Sequence, residues 1–139
     1  MRRQNPSNPA PYLVVRSLRW GELRSKAPEL DLTLLLAPPT EIRTRIRTLS
    51  LTARWADLLE VTEQAMGTEC GRGWLDLQRY AVTACDKLHY DAVGAALRSE
   101  LKNLMADFPG LVKATLLDDT GTANPDTVAW ITDGMPKKD

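Results

Sequence analysis

Gly73-Trp-Leu-Asp-Leu-Gln-Arg-Tyr-Ala-Val-Thr-Ala-Cys-Asp-Lys-Leu88 is the stretch that decides the fold class. At helical spacing its apolar residues Trp74, Leu75, Leu77, Ala81, Val82, Ala84, Cys85 and Leu88 cover about half the circumference. Asp76, Arg79, Thr83, Asp86 and Lys87 make the wet side. An arc that wide touches neighbours on both flanks, so this helix is expected to be central, with Trp74 as a core anchor at its start. Gln78 projects into the middle of the arc. A buried amide must be hydrogen-bonded, so Gln78 is expected to tie the helix to a neighbouring backbone or to a partner chain.

The segments on either side are helical too. From Arg54 to Met66, Trp55, Leu58, Leu59, Val61, Thr62, Ala65 and Met66 fill one arc, with Asp57, Glu60, Glu63 and Gln64 outside it. From Asp91 to Asp107 a narrower stripe of Val93, Leu97, Leu101, Leu104 and Met105, continued by Phe108, indicates packing on one side. Trp55, Leu97 and Leu101 join Trp74 and Gln78 as expected core anchors. Residues 41–48 are ambiguous, because Ile42, Thr44, Ile46 and Thr48 alternate with Arg43, Arg45 and Arg47 like a strand. Ile42, Ile46 and Leu49 also fit a helical face, Pro-Pro-Thr-Glu suits a helix start, and a strand here would lack a partner. Helix is the better reading.

Residues 24–39 hold Pro28, Pro38 and Pro39 and read as an irregular connector whose Leu34-Leu35-Leu36 run folds back onto the body. Asn8-Pro9 and Asn124-Pro125 are cap-plus-proline starts for a first and a last helix. The expectation is one all-α domain over 1–139, with about six or seven helices in a helical-hairpin bundle or short solenoid-like array. The ends, 1–7 and 133–139, are expected to be loose.

The first helix is apolar on two sides. Val14, Val15 and Leu18 share one side, while Tyr12, Leu13, Trp20 and Leu23, with Arg16 among them, occupy the other. One core readily absorbs only one of these. Tyr12, Leu13, Arg16, Trp20 and Leu23 are therefore the candidate self-association interface, since aromatic and arginine anchors favour interface centres. The alternative occupant of that side is the Leu34-Leu35-Leu36 loop.

Composition narrows the function classes. Eighteen basic and eighteen acidic residues give a net charge of zero, so no global field draws nucleic acid. No run approaches the ~20 apolar residues of a membrane span, and the start lacks a signal-peptide stretch. Two cysteines, Cys70 and Cys85, suit a reducing compartment, and cytoplasmic residence is expected. His89 is the lone histidine and sits at a helix end, so Cys70 lacks a recognisable catalytic base. Gly71-Arg72-Gly73 lacks the lysine and Ser/Thr of a phosphate loop and reads better as a tight turn. Asp118 and Asp119 lack the spacing of a calcium loop. Arg43, Arg45, Arg47 and Arg54 form a local positive surplus that could meet an acidic partner, although such side chains usually lie over a core edge. No enzyme, cofactor or metal is expected.

Two segments carry a family resemblance. Asn5-Pro-Ser-Asn-Pro-Ala-Pro-Tyr-Leu-Val-Val-Arg-Ser-Leu-Arg-Trp-Gly21 and Cys70-Gly-Arg-Gly-Trp-Leu-Asp-Leu-Gln-Arg-Tyr80 resemble the middle domain of the TssA (ImpA-type) component of the bacterial type VI secretion apparatus. Pro38-Pro39-Thr40-Glu41-Ile42-Arg43 and Arg54-Trp55-Ala56-Asp57-Leu58-Leu59 look like two further helix starts of that family. The resemblance spans roughly Asn5 to Trp130. The family's preceding domain and its ring-forming C-terminal domain lie outside it, as expected of an excised module. It implies a non-enzymatic assembly module that contributes subunit association, as a homodimer or higher homo-oligomer. The sheath, tube or baseplate proteins would be partners through the full-length parent, with neither nucleic acid nor membrane insertion involved. The alternative is a generic peptide-binding helical adaptor, with a groove between hairpins.

Overall fold

A computed structural model describes residues 4–137. Six α-helices follow in order: α1 (Ala10–Arg24), α2 (Thr40–Leu51), α3 (Trp55–Met66), α4 (Leu75–Lys87), α5 (Asp91–Asp107) and α6 (Pro125–Thr132). Short 3₁₀ turns stand at Leu32–Leu34, Glu69–Arg72 and Leu111–Lys113. The fold is all-α. Among the described residues, extended pairing is confined to one isolated antiparallel bridge, Thr115 with Gly121.

The stretch 73–88 forms the middle of the molecule, as its broad apolar arc requires. Helix α4 packs on α3 and on α5, and α6 lies against it. Helix α2 packs on α3. Helix α1 touches α3, α5 and the 69–72 turn, so the first helix returns to the fifth. In a solenoid each unit meets only its neighbours. The long-range α1–α5 contact makes this a closed bundle.

The strand-like alternation at 41–48 folds as helix α2. Ile46 and Leu49 are buried while Thr44, Arg45, Arg47 and Thr48 face solvent, which is a helical and not a two-fold division. Pro39 carbonyl accepts the Ile42 and Arg43 N–H groups and starts the helix. Leu35 is fully buried, so the connector does fold back.

Caps close the ends. Asn124 Oδ1 accepts the Thr127 N–H at 2.9 Å and starts α6. Helix α4 starts differently, because Trp74 at its cap position offers no side-chain acceptor. The Thr122 carbonyl accepts both the Leu75 N–H (2.8 Å) and the Asp76 N–H (3.2 Å) instead. At its other end His89 takes φ +60 and the Tyr90 N–H reaches back to the Cys85 carbonyl, a Schellman closure.

Of the ends expected to be loose, residues 1–3 and 138–139 lie outside the described residues. Within the remainder, individual residues contact the body. Tyr12 Oη donates to the Pro6 carbonyl at 2.7 Å. Met135 is buried, its carbonyl accepts from Arg98 Nε at 2.8 Å, and Trp130 Nε1 donates to the Pro136 carbonyl at 3.2 Å.

Three acids expected on wet faces are corrected. Glu63, Asp76 and Asp86 are all buried. Each has a partner that the local periodicity does not reveal. Arg16 binds Glu63, Asp76 Oδ1 accepts the Asn124 N–H, and Arg98 grips Asp86 with two hydrogen bonds.

Candidate association surfaces

Helix α1 sets the geometry of the surface, and a buried polar cluster sets α1. Arg16 has no exposed surface. Its Nη1 and Nη2 donate to Glu63 Oε1 and Oε2 at 2.7 and 2.8 Å, and its Nε donates to Gln78 Oε1 at 3.0 Å. Gln78 Nε2 turns to Met66 Sδ at 2.9 Å, so the amide bridges α1, α3 and α4. The fork-shaped guanidinium matches a carboxylate in two parallel bonds. A buried charge left unpaired is costly, so the three side chains lock the rotation of α1 about its axis.

That rotation corrects the expected interface. Tyr12, Arg16, Trp20 and Leu23 are 0–1% exposed in the single chain, and Leu13 is half-buried. The stripe is core, not an open face. Its arginine, which suggested an interface anchor, is neutralised from inside by Glu63. Among the expected core anchors Trp74, Gln78, Leu97 and Leu101 are buried, and Trp55 lies half-buried at the core edge under Lys87.

Two other features remain open. On the outward arc of α1, Val14 and Leu18 are 61% and 56% exposed, and Ser17 and Gly21 lie beside them. This arc carries no charge. A Cβ built at Gly21 meets no atom within 4 Å. Separately, a groove of about 680 Å³ opens between α1, the 36–39 connector, α3 and the 67–70 turn, with Leu36, Ala37, Ile42, Val61 and Ala65 in its walls.

The Gly71-Arg72-Gly73 turn is explained by close packing. A Cβ at Gly73 would come 2.5 Å from Leu35 Cδ2, and one at Gly71 would come 3.0 Å from the Met66 backbone. The Gly71 carbonyl accepts from Trp20 Nε1 at 3.3 Å, and Arg72 Nε donates to Glu22 Oε1 at 3.2 Å. Neighbouring guanidiniums, Arg72 first, lower the Glu22 pKa against partial desolvation. The motif therefore clamps α1 to the start of α4.

Neither cysteine is poised to act. Cys70 and Cys85 are buried free thiols. Burial raises the Cys70 pKa, and burial with the Glu63 carboxylate nearby pushes Cys85 up to about 12. His89 is exposed at a helix end. No group of three metal-binding side chains occurs among the described residues, nor is any described helix long and apolar enough to cross a membrane.

These surfaces belong to a bundle of packed helices whose polar residues serve mainly to fasten one helix to another. A family model described as Type VI secretion, EvfE, EvfF, ImpA, BimE, VC_A0119, VasJ matches residues 1–138, and the chain belongs to this type VI secretion family. No curated protein matches it.

Proposed function

We propose that the domain is a non-enzymatic assembly module of a type VI secretion scaffold protein and works by subunit association. Family membership supports the apparatus. The exposed, uncharged arc of α1 supports the association and carries the reading. Val14 and Leu18 stand one turn apart with Gly21 a turn further on, and pairing such an arc with its own copy brings no like charges together. Glycine inside a helix is destabilising by about 1 kcal/mol relative to alanine. Among the described residues none lies within 4 Å of where a Gly21 Cβ would stand, and a second helix approaching closely would give the glycine a purpose. A homodimer or higher homo-oligomer in the cytoplasm is the expected form, with sheath, tube or baseplate proteins reached through the full-length parent and no role for nucleic acid or membrane insertion.

Light scattering tests the reading directly. The parent should be larger than a monomer, and Leu18→Glu should reduce it to a monomer with its helical circular dichroism retained. Leu23→Glu, placed in the core, should unfold instead. A parent that stays monomeric at high concentration, or a Leu18→Glu variant that associates as before, would refute it. The groove of about 680 Å³ favours a second reading, a helical adaptor that holds a partner's apolar segment. Partner capture that survives Leu18→Glu but fails when Ala37 is replaced by glutamate would select it.

A further inference from the structure

We propose that the surface where α2 meets the start of α4 docks an acidic segment of a partner protein, with one of its carboxylates paired to Arg47 at the mouth of a small cleft. This surface is separate from the outward arc of α1.

The cleft holds about 70 Å³, and Arg43, Ile46, Arg47, Trp74, Asp76, Tyr80 and Asn124 stand in its walls. A water occupies roughly 30 Å³ of liquid, so the space suits one small polar group and not a folded loop. Arg43 and Arg47 lie one turn apart on α2. Arg43 Cζ is 5.6 Å from the Trp74 ring centroid, and Arg79 Cζ is 4.9 Å from that of Tyr80. Arginine, tryptophan and tyrosine are the residues that dominate binding energy at protein interfaces.

The acids near this cluster are engaged. Asp76 is buried, with Oδ1 accepting the Asn124 N–H at 2.8 Å. Asp118 lies 3.3 Å from Arg43 and accepts from the Thr120 hydroxyl and N–H. Arg79 Nε is held by a neutral group, the Thr127 hydroxyl, at 2.8 Å. Arg47 is exposed and has neither hydrogen bond nor ion pair among the described residues. Trp74 Nε1, buried in the wall, has no acceptor either. Arg47 and the Trp74 N–H are thus donors left without acceptors, and a carboxylate is the group that pairs with the exposed one, Arg47.

A polynucleotide fits less well. The whole chain is neutral, with 18 basic and 18 acidic residues, and Asp76 and Asp118 would oppose a run of phosphates. A single carboxylate on an otherwise adaptable segment needs to meet only the exposed Arg47 and does not have to enter the cleft that Asp76 lines.

Fluorescence anisotropy with a labelled peptide rich in glutamate and aspartate provides the test, with a single-stranded oligonucleotide of equal length as comparison. The peptide should bind, and salt should weaken it. Arg47→Glu should reduce affinity by about fivefold or more, whereas Arg45→Glu should leave it nearly unchanged. Arg45 makes the same charge reversal on the far side of α2, and both residues are exposed, so folding is kept. Leu18→Glu should bind the peptide as the parent does, which separates this test from that of self-association. No binding, equal weakening by the two arginine reversals, or tighter binding of the oligonucleotide would each overturn the proposal.

Discussion

Among single residues, Arg16 and Glu63 matter most, because each is safe inside the molecule only through the other. Glu63→Gln leaves a buried guanidinium without its counter-ion, and breaking a buried pair on one side costs about 3–5 kcal/mol. Replacing both, as Arg16→Met with Glu63→Leu, should recover much of that loss, since an apolar pair of similar volume needs no partner. Urea denaturation of Arg16→Met, Glu63→Leu and the double variant measures the coupling; additive losses would contradict it. The pair also marks where reading the sequence stops. Helical spacing places Glu63 outside the apolar arc of α3, on the side expected to be wet, yet it is buried. Burial is decided by an arginine 47 residues earlier, and no periodicity within α3 carries that information. Arg16 misleads in the same way: an arginine amid Tyr12, Trp20 and Leu23 has the composition of an interface, and only its hidden counter-ion makes the stripe core.

Whole elements were more legible, because their signals are local. The arc from 73 to 88 suffices to place α4 in the centre. Asn124 caps α6 as expected, while Pro9 takes the cap position of α1 and Asn8, one residue earlier, accepts the Ala10 N–H at 3.0 Å. The ambiguous 41–48 stretch folds as the hydrophobic face Ile42, Ile46 and Leu49 requires. The joint between α4 and its neighbours rests on Trp74, which is 3% exposed. Trp74→Ala should lower stability by about 3–5 kcal/mol, a large share of the roughly 5–15 kcal/mol typical of a domain. Thermal melting checks this, and a variant melting with the parent would place the indole outside the core. Trp74→Phe should lose less, because it also removes a buried N–H that has no acceptor.

At the scale of the molecule, alkaline pH reaches the interior through its two buried thiols. Burial holds the Cys85 thiol protonated in the fold, with its pKa raised from 9.0 to about 12. The unfolded chain releases that proton near 9, so the contribution is complete below about pH 9 and is lost as pH rises towards 12. Cys70 shifts in the same direction. The urea midpoint should therefore fall as pH rises from about 9 towards 12, and Cys85→Ala should flatten the fall. An unchanged slope would assign the effect to other groups. The start of α4 bears on how the chain reaches this state. Its first two amides are received by the carbonyl of Thr122, itself held by a hydroxyl bond to Leu111 (2.6 Å) and an N–H bond to Ala114 (3.1 Å). During synthesis the central helix therefore leaves the ribosome with an open first turn. Those two amides find their protein acceptor only after the chain has extended past Thr122 and bent back.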